Sequence, residues 1–327
     1  MKCTNCGNKI RNPINFCPYC RTSLNQIALT VSSKSKSSLR KYFFILILLL
    51  LIVTTFYFLS LKDINFLMDK FSSSFNKFKT YTTSLKEKSI TSLPKTFIEP
   101  KANIEFILLK GGCFNMGDTF GDGDSDEKPV VQICVQDFYM SKYEITQGQW
   151  LRLIDKNPSY FKDLNLPVDN VNMNDLLVFL SHLNQNNEKI KYKLPTEVEW
   201  EYACKSGAKG EKYSGTSNET ELKSYSWFGT TSAGKPHHVG MLKANSFGLF
   251  DLSGNVWEWT ESDYSPDCYN FMTKGSHICK GTFTGNKVIR GGSWNLSERF
   301  ARCSARRGAD PLGKAYNIGF RIVAIRQ

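Results

Sequence analysis

Histidine is scarce in this chain, with four in 327 residues. Iron chemistry built on clustered imidazoles therefore has little to draw on. His237 and His238 are adjacent in a Gly/Lys/Pro loop, and neighbouring side chains rarely point at one ion. His182 stands alone on an apolar helical pattern and reads as a solvated residue. Acidic residues are missing from residues 1–41, which carry eight Lys or Arg. Charge of either sign is missing from residues 42–61. The formal net charge of +12 is thus a local feature, because residues 99–327 carry 27 basic and 27 acidic side chains. A basic excess beside an apolar run is a topology signal, so nucleic acid is not an expected partner.

What is present at the N-terminus is cysteine. Cys3, Cys6, Cys17 and Cys20 form two C-x2-C knuckles within residues 1–25. Each knuckle supplies two thiolates from one tight turn, and four thiolates make a closed tetrahedral zinc site. So short a segment has almost no core and needs a metal to fold; two disulfides are the alternative. The segment resembles small zinc ribbons, with a structural or docking role and a possible cytoplasmic partner.

Residues 26–41 are a Ser/Lys linker. Residues 42–61, YFFILILLLLIVTTFYFLSL, are long enough to cross a bilayer as a helix at about 1.5 Å per residue. The run is too long for a cleaved signal peptide, and no small-residue cleavage site follows it. Lys34, Lys36, Arg40 and Lys41 precede it, which places the N-terminus in the cytoplasm and the large domain outside. Residues 62–98 read as a tether, and residues 99–327 as one large domain.

In that topology the six remaining cysteines face an oxidising compartment. Cys113 and Cys134 bracket the acidic loop DTFGDGDSDEKP between two expected strands and make the first pair. Cys268 and Cys279 close a local loop. Cys204 and Cys303 are left to each other by elimination, with free buried thiols as the alternative. Phe106–Leu109 is an expected strand. Thr146 and Thr196 are expected helix caps, the second with Glu199 at the capping-box position. Residues 174–184 show apolar residues at helical spacing, among them Leu176, Leu177, Phe179, Leu180 and Leu183.

Six motifs then occur in one order across roughly residues 100–327: GGCFNMG, KYEITQGQW, LPTEVEWEYAC, GLFDLSGNVWEW, RGGSW and IGFR. Together they resemble the formylglycine-generating enzyme (sulfatase-modifying factor) family. The resemblance implies an α+β, loop-rich fold that is a variant of the C-type lectin fold. It also implies a calcium ion held by the carboxylates of Asp251 and Glu258 and the backbone carbonyls of Gly254 and Val256. Oxygen donors suit that hard cation.

Catalytic members hold Cu(I) on two cysteines spaced C-x4-C after the GGS motif, and a soft thiolate pair suits that ion. Here Leu296 stands where the first cysteine belongs, and Cys303 matches a structural cysteine beyond the site. Copper is therefore not expected, and no catalytic residue is assigned. What the resemblance leaves is the shell of a ligand cleft: Trp257, Arg290, Ser293, Trp294 and Asn295, with the tail from Arg302 through Arg306 to Tyr316. That tail also resembles the C-terminal region of target proteins diversified by retroelements. Its arginines favour an anionic ligand, unless they pair with the acidic loops. The expectation is a membrane-anchored extracytoplasmic binding or sensing module for an unidentified ligand or protein. An oxidase that generates formylglycine in sulfatase-type substrates is the alternative.

Overall fold

The computed structural model describes residues 94–326 except 273–278 and 280, together with residues 70, 72, 74 and 75. The knuckle cysteines Cys3, Cys6, Cys17 and Cys20, the apolar run 42–61 and most of the tether lie outside the described residues. No helix among the described residues is long and apolar enough to cross a membrane.

The domain begins with β1 (Thr96–Glu99), β2 (Ile104–Leu109), β3 (Gly112–Met116), β4 (Val131–Val135) and β5 (Phe138–Ser141). Three helices follow, α1 (Gln147–Leu151), α2 (Met173–Asn184) and α3 (Glu197–Cys204), with β6 (Ile190–Lys193) before the last. A long irregular stretch then leads to β7 (Trp257–Asp263), β8 (Lys287–Arg290), β9 (Arg306–Ala309), β10 (Ile318–Gly319) and β11 (Val323–Arg326). The strands form a five-stranded sheet, β1-β2-β5-β11-β6, a four-stranded sheet, β10-β7-β8-β9, and the hairpin β3-β4. The β10–β7 pair is parallel. Val323 of β11 is paired with both Met140 and Lys193, so the last residues of the domain close its main sheet.

Local chemistry explains the helix starts. Thr146 Oγ1 accepts from Gln149 N at 3.1 Å, and Gln149 Oε1 accepts from Thr146 N at 3.0 Å. Thr196 and Glu199 repeat the arrangement at 3.1 and 2.8 Å. Each reciprocal pair satisfies two backbone donors that a helix start leaves open. On α2, Leu176, Phe179, Leu180 and Leu183 are buried, whereas Leu177 is exposed. Five apolar residues at these positions exceed one face of the helix, and Leu177 falls outside the stripe.

The core lies between the hairpin, the main sheet and α3. It joins Leu109, Phe114, Met116, Ile133 and Met140 to Val198, Trp200 and Ala203, and to Leu249 and Leu252 from the irregular stretch. Burial of each large apolar side chain contributes about 1.5–3 kcal/mol. A second aromatic layer stacks Trp150 on Phe179 at 5.3 Å, with Phe320 edge-on to both. Three disulfides join Cys113 to Cys134, Cys204 to Cys303 and Cys268 to Cys279. The first links directly opposed positions of the hairpin, with Cα atoms 3.9 Å apart. The second ties α3 to the tail across 99 residues.

Candidate functional site

The segment from Asp251 to Val256 is a tight turn made of left-handed backbone. Asp251, Gly254 and Asn255 have φ of 59°, 82° and 55°. Gly254 is required there, because a Cβ would overlap the Trp227 carbonyl oxygen. The turn is held from outside by Glu144, whose Oε1 accepts from Val256 N at 3.0 Å and whose Oε2 accepts from Asn255 Nδ2 at 2.6 Å. Asp251 Oδ2 accepts from Gly240 N at 2.7 Å. Glu258 accepts from Trp200 Nε1 at 2.6 Å and from Arg321 Nε at 2.7 Å.

Glu144, Asp251, Glu258 and Arg321 are all buried. Three carboxylates thus face one guanidinium without solvent. Burial first, and then the Asp251 and Glu258 carboxylates, push Glu144 well above the usual carboxylate range. Burial pushes Asp251 up to about 6, against the Gly240 amide and Arg321, which lower it. A buried excess of acid beside a glycine turn is the environment a hard cation neutralises, and the donors are oxygens. Asp251 and the Gly254 turn supply oxygens of the kind calcium takes, while both Glu258 oxygens accept from Arg321 Nε, at 2.9 and 2.7 Å. Glu144 was not among the residues expected for calcium. Its signal in the sequence is its place in KYEITQGQW, one of the six motifs.

Copper does not fit. Every cysteine among the described residues is in a disulfide, so no thiolate is free to hold Cu(I). Cys303, the sole cysteine after the GGS motif, is bonded to Cys204.

The arginines expected to line the cleft are placed differently. Arg290 is fully buried; its guanidinium donates to the carbonyls of Cys303, Ser304 and Ala305 and pairs with Glu201. Arg306 forks onto Glu197 at 2.6 and 2.9 Å. Arg302 forks onto Glu127 at 2.6 and 2.8 Å. Lys205 completes the network, 2.9 Å from Glu201. Burial would raise Glu201, but Lys205 and Arg290 outweigh it and hold its carboxyl below the usual range. Arg299 pairs with Asp124, and Lys314 with Asp175 at 2.6 Å. These cations are engaged inside the domain or with its acidic side chains, which corrects the expected placing of Arg290, Arg302 and Arg306 in an open cleft; Arg307 on β9 is exposed. Paired charges were the reading left open beside it, and opposite charges brought out of water must pair.

The acidic loop is likewise committed. Asp118 accepts from the backbone N–H groups of Phe120, Gly121 and Gly123. Asp124, Asp126 and Glu127 converge, yet they are held by Arg299, Tyr264 and Arg302.

Trp257 and Ser293 are also buried, while Asn295 is exposed. Asn317 Nδ2 donates to Ser293 Oγ at 3.1 Å and to Asn295 Oδ1 at 3.0 Å. Beside this polar trio lies an aromatic face. Trp294 meets Phe161 edge-on at 5.8 Å and Tyr316 at 5.9 Å, and Tyr160 lies 6.0 Å from Tyr316. Phe161 also lines a cleft of about 470 Å³ with Trp227, Pro236, His237 and Met241. His237 stacks on Trp227 at 3.7 Å, and its Nε2 lies 2.7 Å from the Ser232 carbonyl. Tyr160, Phe161 and Trp227 were missed by sequence reasoning. The signal for the first two was a consecutive aromatic pair in a Pro-containing loop, NPSYFKD, without a strand or helix pattern.

The chain is 28% identical over 274 residues to the chaperone protein LppX of Paenibacillus barcinonensis, covering 67% of this chain and 89% of that protein. It is 26% identical to the inactive C-alpha-formylglycine-generating enzyme 2 of Bos taurus, covering 67% of this chain and 87% of that one. It is 27% identical to a serine/threonine-protein kinase, pkn1, of Chlamydia caviae, of which it spans 37%. Among solved structures, Treponema denticola variable protein 1 superimposes with a TM-score of 0.61 at 26% identity, covering 71% of this chain and 99% of that one. Residues 93–325 match the sulfatase-modifying factor enzyme 1-like domain, and the chain therefore belongs to that family.

Proposed function

We propose that this protein is a membrane-anchored extracytoplasmic module that binds or senses a ligand or protein and does not oxidise cysteine. The observation that carries the reading is the state of the six domain cysteines: all are in disulfides, and none is left for a copper site. The names of two relatives, an inactive formylglycine-generating enzyme and a chaperone, are consistent with binding without turnover. In this reading residues 1–25 hold zinc in the cytoplasm, where Cys3, Cys6, Cys17 and Cys20 stay reduced and offer a docking unit. Residues 42–61 cross the membrane. The domain is a lectin-type variant of the family fold, and calcium on Asp251, Glu258 and the Gly254 and Val256 carbonyls fixes its central turn. The ligand meets the face formed by Trp294, Asn295 and Tyr316 with Tyr160 and Phe161.

Metal analysis of the purified full chain by mass spectrometry tests this, together with an assay of cysteine-peptide oxidation with added Cu(I). Zinc and calcium without copper and without turnover is the expected result. Stoichiometric copper with a formyl product would overturn the reading in favour of the formylglycine-generating oxidase, the activity that other members of the family are named for.

A further inference from the structure

The chemistry of the ligand can be read from the aromatic face, provided the face is a binding site as proposed above. Its four rings close a cycle: Tyr160 to Phe161 at 5.1 Å, Phe161 to Trp294 at 5.8 Å, Trp294 to Tyr316 at 5.9 Å, and Tyr316 back to Tyr160 at 6.0 Å. None of the four contacts is a flat stack, the interplanar angles being 82°, 88°, 44° and 51°, so the four rings do not cover one another face to face. Two of the rings are open to solvent, Tyr160 at 71% and Tyr316 at 49% exposure.

Asp169 sits at the joint of the two segments that carry these tyrosines, with 0% of its surface exposed. Its N–H donates to Ser159 Oγ at 3.0 Å, and its Oδ1 accepts from Tyr160 N at 3.0 Å. The next residue, Asn170, donates its N–H to the Ala315 carbonyl at 2.9 Å. The second carboxylate oxygen, Oδ2, is buried and has no hydrogen-bond partner. A buried carboxylate oxygen without a donor costs free energy until one arrives. Ring faces attract cations. One chemical group satisfies both: an ammonium that still carries N–H bonds.

We propose that the cycle Tyr160–Phe161–Trp294–Tyr316, whose Tyr160 N–H is held by Asp169 Oδ1, receives a primary ammonium group such as the side chain of a lysine on a partner protein. A quaternary ammonium would meet the rings but leave Asp169 without its donor. The tail cations Arg302, Arg306 and Lys314 are not available to an anion, being paired with Glu127, Glu197 and Asp175. Burial pushes Asp169 up to about 7, while the Tyr160 amide and then Lys162 lower it. Lys162 itself donates to the Asn157 carbonyl at 2.8 Å.

The test is a titration of the full-length protein, followed by tryptophan fluorescence, with a lysine-containing peptide, free Nα-acetyl-lysine amide, and the same two probes acetylated at Nε. A saturable response to the lysine probes, at least tenfold weaker after Nε-acetylation, is expected. A response to the peptide alone would locate the ligand on a protein; a response to both probes would mean that the ammonium group suffices, and either supports the inference. Asp169→Asn should lower the affinity about tenfold. Tyr316→Leu, at an exposed position where folding is not at stake, should do the same with an unchanged melting temperature. Equal responses to the lysine and Nε-acetyl probes, or no response to either, would overturn the inference. A parallel titration with a glutamate-rich peptide separates the two readings: binding that Tyr316→Leu abolishes would keep the face and reject the ammonium. Turnover of a cysteine peptide with added Cu(I) would reject the binding module itself.

Discussion

Arg302 and Glu127 meet through two parallel hydrogen bonds, Nη1 to Oε2 at 2.6 Å and Nη2 to Oε1 at 2.8 Å, although 175 residues separate them. Both side chains are nearly without solvent exposure. Removing one partner leaves the other charge buried and unpaired. Glu127→Gln or Arg302→Met should therefore cost about 3–5 kcal/mol of stability. Urea unfolding followed by circular dichroism measures this. A loss under about 1 kcal/mol would mean that the pair is solvated and that the tail arginine is available to a ligand after all.

The disulfide between Cys204 and Cys303 closes the longest of the three loops. Cys204→Ala with Cys303→Ala should destabilise the domain by about 2–5 kcal/mol, read as a lowered melting temperature. In denaturant without reductant and with a chelator, the full chain should titrate four thiols, those of Cys3, Cys6, Cys17 and Cys20, and not ten. Six further reactive thiols would show that the domain disulfides do not form.

The buried acids around the Gly254 turn predict a linked effect of pH and calcium. Asp251 has its folded pKa raised to about 6, above its ordinary value of 3.8. Between those values the folded state binds the proton more tightly, so without metal its stability falls as pH rises from about 4 through 6. Glu144 shifts in the same direction and adds to the loss. On the proposed site, a calcium ion would replace the proton as the neutralising charge. Melting curves with chelator should therefore decline over this window. Added calcium should restore stability chiefly above pH 6, by about 2.7 kcal/mol at a hundredfold excess over Kd. Equal calcium effects at pH 4.5 and pH 7 would count against the site.

Two glycines with positive φ should respond differently to alanine. At Gly254 a Cβ overlaps the Trp227 carbonyl, and φ is 82°. At Gly210 φ is 65°, yet nothing lies within 4 Å of the added carbon. Gly210→Ala should cost about 1 kcal/mol, the strain of the left-handed conformation alone. Gly254→Ala should cost more than about 3 kcal/mol, as backbone must move as well. Thermal unfolding of the two variants side by side checks the difference.

Short-range chemistry was legible in the chain. Thr146 and Thr196 cap helices because the threonine hydroxyl and the side-chain oxygen of Gln149 or Glu199, three residues on, answer the same local backbone donors in any context. Trp150, Trp200 and Tyr202 are core residues, as expected of large apolar groups on short helices. Two disulfides, Cys113–Cys134 and Cys268–Cys279, followed from which cysteines bracket which loops, and Cys204–Cys303 by elimination. The turn of Asp251, Gly254 and Asn255 declared itself by its residue types, since few sequences tolerate three left-handed positions within five residues.

Sequence by itself therefore determined the family, the caps and the glycine turns, all of which rest on short motifs. The direction in which each charge faces was decided only by the tertiary structure. A run of arginines in the tail looks like a basic surface until Arg290, Arg302 and Arg306 are seen to lie against Glu201, Glu127 and Glu197. The face that remains is aromatic, and it joins Tyr160, Phe161 and Asp169 to Trp294 and Tyr316 from more than a hundred residues away. Burial of a charge is settled by the partner that folding brings to it, and that partner has no signature in the local sequence.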